Sequence, residues 1–144
     1  MSHIASYSTR IRLPVDPGKD LKATPAWQVL VDALEVTARE HQGALADYVS
    51  DYYGRRWSCA LALVVPEFPL GIGVEVDPRS GEVRFVYDSY GHEATVKRLC
   101  DAVTQNYTAI AVTRALESLH YEVDLEEIPA GDGATKRVLI KGEF

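Results

Sequence analysis

The stretch Cys59-Ala60-Leu61-Ala62-Leu63-Val64-Val65 has no polar side chain on either face of an extended strand. Successive side chains of a strand point to opposite sides, so this one needs cover on both. The rest of the chain must supply two covers or leave one side to a partner. At seven residues the run is far short of the roughly 18 that a membrane-spanning helix needs, so it reads as a core strand.

One cover is legible. Thr24 followed by Pro25 is a helix start, a hydroxyl cap before a proline at the first helical position. Trp27, Leu30, Val31, Leu34 and Ala38 then recur at helical spacing as one apolar stripe. Arg39 and His41 suit the negative end of the helix dipole, and Gly43 can take the left-handed stop. The spacing predicts a helix over 25–42. A second helical region runs from His92 to about Tyr121. Val96, Leu99, Cys100 and Val103 form its first stripe, and Val112, Ala115, Leu116 and Leu119 its last. The stripes drift across Gln105-Asn106, which leaves a kink or a split into two helices open there. These helices are expected on the side of Cys59, Leu61, Leu63 and Val65.

Elsewhere the period is two. Tyr7, Thr9, Ile11 and Leu13 alternate with Ser8, Arg10 and Arg12 until Pro14, Pro17 and Gly18 end the strand. Further strands are predicted over 44–53, 57–65, 72–77 and 82–90. The last two are joined by Asp77-Pro78-Arg79-Ser80-Gly81, whose proline and glycine suit a type I turn with a bulge. Two strands close the chain. Val123 and Leu125 alternate with Glu122, Asp124 and Glu126, and Val138 and Ile140 with Arg137, Leu139 and Lys141, so pairing would lay an acidic row beside a basic one. The order predicts a single α+β domain over 1–144. It has one mixed, mostly antiparallel sheet with two main helices packed on one face, and parallel neighbours are allowed across each helix. A domain this long buries roughly 68–70% of its unfolded surface and needs neither disulfide nor metal to hold it.

Charge and motif content narrow the function. Fifteen basic residues are dispersed among 21 acidic ones, for a net charge of −6, so a phosphate backbone meets repulsion and no nucleic-acid partner is expected. Cys59 and Cys100 form no C-x-x-C pair and keep no ligand spacing with His3, His41, His92 or His120; they read as reduced thiols, and no metal site is expected. Met1 is followed by no basic region and apolar stretch, which points to the cytoplasm and away from a membrane. Gly71-Ile72-Gly73 precedes a strand instead of opening a helix, so it is no phosphate loop. No nucleophile elbow and no P-loop lysine occurs, so no cofactor and no catalytic residue is assigned.

Two groups of residues stand out. Asp51-Tyr52-Tyr53-Gly54 and Asp88-Ser89-Tyr90-Gly91 are both D-x-Y-G, and both close a strand. Asp51, Tyr53, Asp88, Tyr90 and the nearby His92 make a candidate polar site, with Asp47 on the face of Asp51. The plainer reading is turn chemistry, since aspartate caps and glycine permits the turn. The second group is apolar. Ala60, Ala62 and Val64 would let another surface approach closely, and Phe68, held between Pro66 and Pro69, would anchor a partner if exposed. The alternative is that the same chain covers the alanines and tucks Phe68 under the sheet.

Met1-Ser2-His3 with the Thr9–Ile11 strand, the Ala46-Asp47 strand, the hairpin leading to Asp88-Ser89-Tyr90-Gly91, and Tyr107 with Tyr121-Glu122-Val123 together form an order of features. This order resembles a family of cyanobacteria and red-algal plastids catalogued as domain-of-unknown-function twelve-fifty-seven. The resemblance implies a small accessory protein, encoded beside an AAA-type ATPase and other small partners, and carries over no catalytic residue. The expected function is that of a non-enzymatic accessory or scaffold protein, homo-oligomeric or bound to a larger assembly such as such an ATPase. A small-molecule-binding or hydrolytic domain using the two strand ends is the alternative.

Overall fold

The computed structural model describes residues 4–15, 18, 20–88, 91–119, 122–129 and 136–143, with residues 7, 8, 10 and those from 122 onward described by their backbone alone. The elements in chain order are β1 (Ile4–Arg12), α1 (Pro25–Glu40), β2 (Ala44–Ser50), β3 (Arg56–Val65), β4 (Phe68–Val76), β5 (Glu82–Asp88), α2 (Glu93–Ser118), β6 (Glu122–Pro129) and β7 (Lys136–Glu143). A single 3-10 turn, Leu21–Ala23, leads into α1. The fold is α+β.

Thr24 caps α1 as expected: its hydroxyl accepts from the Trp27 N–H at 3.2 Å, and Pro25 opens the helix. Gln42 takes a φ of 59° beyond the last turn, so the left-handed stop falls one residue before Gly43. Gly43 is needed for another reason, since a Cβ there would lie 2.2 Å from the Val64 carbonyl oxygen.

α2 is one unbroken helix through Gln105-Asn106, without the kink or split left open above. The stripe drifts there because Asn106 faces α1 and does polar work. Its amide donates to the buried Thr37 hydroxyl at 2.8 Å and to the Glu40 carboxylate at 2.7 Å. Farther along, Arg114 pairs with Asp32. The two helices are thus joined by a polar seam above their apolar contact.

The main sheet has five strands in the order β1-β5-β4-β3-β2, and β6 pairs with β7 in a separate two-stranded sheet. Every pairing is antiparallel. Among the described residues the parallel neighbours allowed across the helices do not occur: α1 carries the chain from β1 at one edge of the main sheet to β2 at the other, and α2 carries it from β5 to β6 in the separate hairpin. The closing hairpin sets Asp124 opposite Lys141 but Glu126 opposite Leu139, so the expected acidic and basic rows meet at one position of the register.

Both helices pack on one face. Trp27, Leu30, Leu34 and Ala38 of α1 and Val96, Leu99, Cys100 and Val103 of α2 join Leu63, Val65, Phe68, Ile72, Val74, Val83 and Phe85 in one buried cluster. β4 begins at Phe68, four residues before the predicted strand, because Pro66-Glu67 is a two-residue turn closing β3 against β4, with Val65 opposite Phe68.

Candidate functional site

The outer face of the sheet is closed by the sheet itself. Between the pairs Ala46–Ala62 and Tyr48–Ser58, one residue of β2 opposes three of β3. Such a bulge bends a strand and sharpens its twist. Beyond it the β2–β3 hairpin, hereafter the arm, turns back across β4. Val49, only 1% exposed, places its Cγ1 where it would lie 3.5 Å and 3.1 Å from a Cβ on Gly71 and Gly73. Cys59 and Val86 crowd the same Gly73 position at 3.1 Å and 2.9 Å, and Val64 crowds Gly71. Gly71-Ile72-Gly73 is therefore a floor without side chains, on which the arm lies down.

That geometry decides the apolar candidates. Ala62 is fully buried on the outer face and Val64 half-buried beside Gly71, both covered by this chain. Ala60, at the bulge, packs against the main core, and Cys59 turns to the outer face, the reverse of the parity expected for both. Phe68 is 1% exposed, inside the helix-side core with its ring edge-on to His92 at 5.5 Å. It is no anchor for a partner. The second cover demanded by the all-apolar strand comes from within the chain.

At the tip of the arm the first D-x-Y-G motif builds a three-residue hairpin loop. The Asp51 N–H donates to the Arg55 carbonyl at 2.9 Å, the Gly54 N–H donates to the Asp51 carbonyl at 3.0 Å, and Gly54 takes a φ of 83°. The Asp51 side chain, 1% exposed, frames the loop from inside. Its Oδ1 accepts from the Tyr53 and Arg55 N–H groups, both at 2.9 Å, and its Oδ2 from Arg55 Nε at 2.8 Å. Burial pushes the Asp51 pKa up, but the hydrogen bonds from Arg55 and Tyr53 and the Arg55 charge outweigh it and hold it below the usual carboxylate value.

The second motif does a different job. Asp88, at the end of β5 and fully buried, accepts the Tyr52 N–H on Oδ2 at 2.7 Å, 36 residues away in sequence. The two strand ends thus converge, with Asp88 as the clamp that fastens the tip to the sheet. Open-face solvation, the ordinary fate of such carboxylates, applies to Asp47, which is exposed, and not to Asp51 or Asp88.

The polar site does not assemble as a set. Tyr53 points into solvent, 65% exposed. His92 is exposed, makes no side-chain cap for α2 and lies against Phe68. Tyr90 lies outside the described residues. Among the described residues the Asp51 carboxylate accepts hydrogen bonds from its own loop alone, so it holds that turn and is not aimed at a cavity. Among the described residues no group of histidine, cysteine, aspartate and glutamate is placed to hold a metal ion, and no helix is long and apolar enough to cross a membrane.

What the geometry exposes is an aromatic tip. Tyr52 and Tyr53 are 60% and 65% exposed and meet edge to face with centroids 5.8 Å apart; Trp57 is 46% exposed. The Arg55 guanidinium sits 6.0 Å from the Trp57 ring, and that of Arg56 sits 4.3 Å over the Tyr48 ring. The sequence pattern left Tyr52 in a strand end, assigned Tyr53 to the candidate polar site, and did not single out Trp57, Arg55 or Arg56. The available signal was Y-Y-G-R-R-W itself, a run rich in aromatics and arginine around a glycine turn.

No family model matches this chain, and neither does any curated protein or solved structure.

Proposed function

We propose that this protein is a non-enzymatic accessory or scaffold module that docks on a protein partner through the tip of its β2–β3 arm. The observation that carries this reading is the exposure of Tyr52, Tyr53 and Trp57 on a loop fixed from below by Asp51 and Asp88. Tyrosine, tryptophan and arginine dominate the energetics of protein interfaces. A tip already held in one shape loses little further freedom on binding, which favours affinity. The docking surface thus differs from Ala60, Ala62, Val64 and Phe68, which the chain covers or buries itself. A place beside a larger assembly, such as an AAA-type ATPase, follows from the resemblance to the plastid and cyanobacterial family.

The test is proximity crosslinking in the source organism with a photo-reactive residue at position 53, beside a second strain with the residue at exposed Glu35 on α1. The reading expects a discrete protein adduct from position 53 that Trp57→Ala weakens. Equal adducts from both positions, or none from position 53, would count against it.

A further inference from the structure

The two arginines of the tip stand differently. Arg55 gives its Nε to the buried Asp51 carboxylate, so its charge is largely answered within the loop. Arg56 is exposed, places its guanidinium carbon 4.3 Å over the Tyr48 ring and has no carboxylate partner among the described residues. Contact with the ring restrains the guanidinium and leaves its N–H groups for a planar, bidentate acceptor. Asp51, Arg55 and Asp88 are all engaged in holding the loop, which leaves Arg56 as the exposed cation of the tip, on a chain of net charge −6. The arm's other carboxylate, Asp47, is exposed on the side of Cys59, whose thiol pKa is pushed up by burial first and then by Glu75 and Asp47.

Resting on the docking reading above, we infer that the tip takes an acidic protein segment. An aspartate or glutamate carboxylate of that segment forks onto Arg56, and a neighbouring apolar side chain covers Trp57 and Tyr53. The net acidic charge of the chain disfavours such a segment on average, and the exposed Arg56 fixes where it approaches. A nucleic acid offers the same acceptor geometry but brings a charge on every phosphate, against a net-acidic protein with one unpaired arginine at the site.

The experiment is selection of phage-displayed twelve-residue random peptides on the full-length protein, followed by binding of the enriched synthetic peptides to wild type, Arg56→Glu, Arg56→Lys and Trp57→Ala. Arg56 and Trp57 are exposed, and circular dichroism checks that each variant is folded. Enriched peptides are expected to be acidic with an apolar neighbour. Their binding should fall about tenfold or more with Arg56→Glu, as loss of one charge-assisted pair predicts. It should fall less with Arg56→Lys, and weaken steadily with salt. Enriched peptides without acidic bias that still need Trp57 would overturn the acidic partner and leave the docking tip standing. Peptides indifferent to both Arg56→Glu and Trp57→Ala, or no enrichment at all, would overturn both. A 12-mer of oligo-deoxythymidine binding as tightly as the peptides would overturn the choice of a protein partner.

Discussion

On the helix side of the sheet, Phe68, Phe85 and Leu63 meet Leu30, Leu34 and Leu99. On the other side Val49 rests on Gly71 and Gly73 with little but Ala62, Cys59, Val64 and Val86 around it. The first face is closed by large side chains from separate elements, and its contribution is apolar area removed from water. The second is closed by backbone coming close to backbone, which requires that side chains be missing. The inner face tolerates no loss of volume, and the outer face tolerates no gain. The outer arrangement also depends on a polar clamp, because a strand folded over its own sheet carries N–H groups that must find acceptors.

The two faces should therefore fail in opposite ways. Truncating the fully buried ring with Phe85→Ala is expected to destabilise the whole domain by about 3–5 kcal/mol, read by chemical denaturation. A loss under about 1 kcal/mol would mean that the inner face is not the main source of stability. Adding one methyl with Gly73→Ala drives a Cβ to 2.9 Å from Val86 and 3.1 Å from Val49 and Cys59. It should cost about 1–3 kcal/mol, with the lost hydrogen-exchange protection confined to the arm. A neutral outcome would place the arm off the sheet.

Asp88→Ala leaves the Tyr52 N–H without its acceptor. A cost of about 1–3 kcal/mol is expected, with the tip loosened and α1 and α2 unchanged by near-ultraviolet and far-ultraviolet circular dichroism.

The smallest effect is one of pH. An unfolded aspartate titrates near 3.8, and Asp51 in the folded protein titrates below that value. Its contribution is complete above pH 3.8 and is lost as the pH falls through the lower native value. Stability measured against pH should therefore drop below 3.8, and Asp51→Asn should flatten that part of the curve. An unchanged curve would show that the loop does not depend on the charged carboxylate.

How far the sequence revealed this fold follows the same division. α1, α2 and the helix-side core were legible because Trp27, Leu30, Leu34 and Ala38, and Val96, Leu99, Cys100 and Val103, repeat at helical spacing and bury as read. The Asp77–Gly81 hairpin was legible because its turn is local: the Asp77 carboxylate accepts the Arg79 and Ser80 N–H groups, and Gly81 takes a φ of 74°. The outer face was not. The all-apolar strand announced that a second cover exists, but the cover depends on a bulge at Cys59–Leu61, and a bulge shifts parity without leaving a periodic mark. Gly71 and Gly73 were visible as a motif yet speak only once the arm is seen to lie on them. The D-x-Y-G echo was real in sequence and divided in structure. Asp51 serves its own turn, as local chemistry foretells, whereas Asp88 serves a backbone group 36 residues away that no local pattern names.

The folded-back arm is the claim on which the docking tip depends, and amide hydrogen exchange at Tyr52 by NMR tests it most directly. If Asp88 holds that N–H at 2.7 Å on a closed outer face, Tyr52 should exchange as slowly as the neighbouring strand amides, and the Val49 methyls should show through-space contacts to the Gly73 α-protons. A Tyr52 amide exchanging as fast as an open loop, with no Val49–Gly73 contact, would contradict the account.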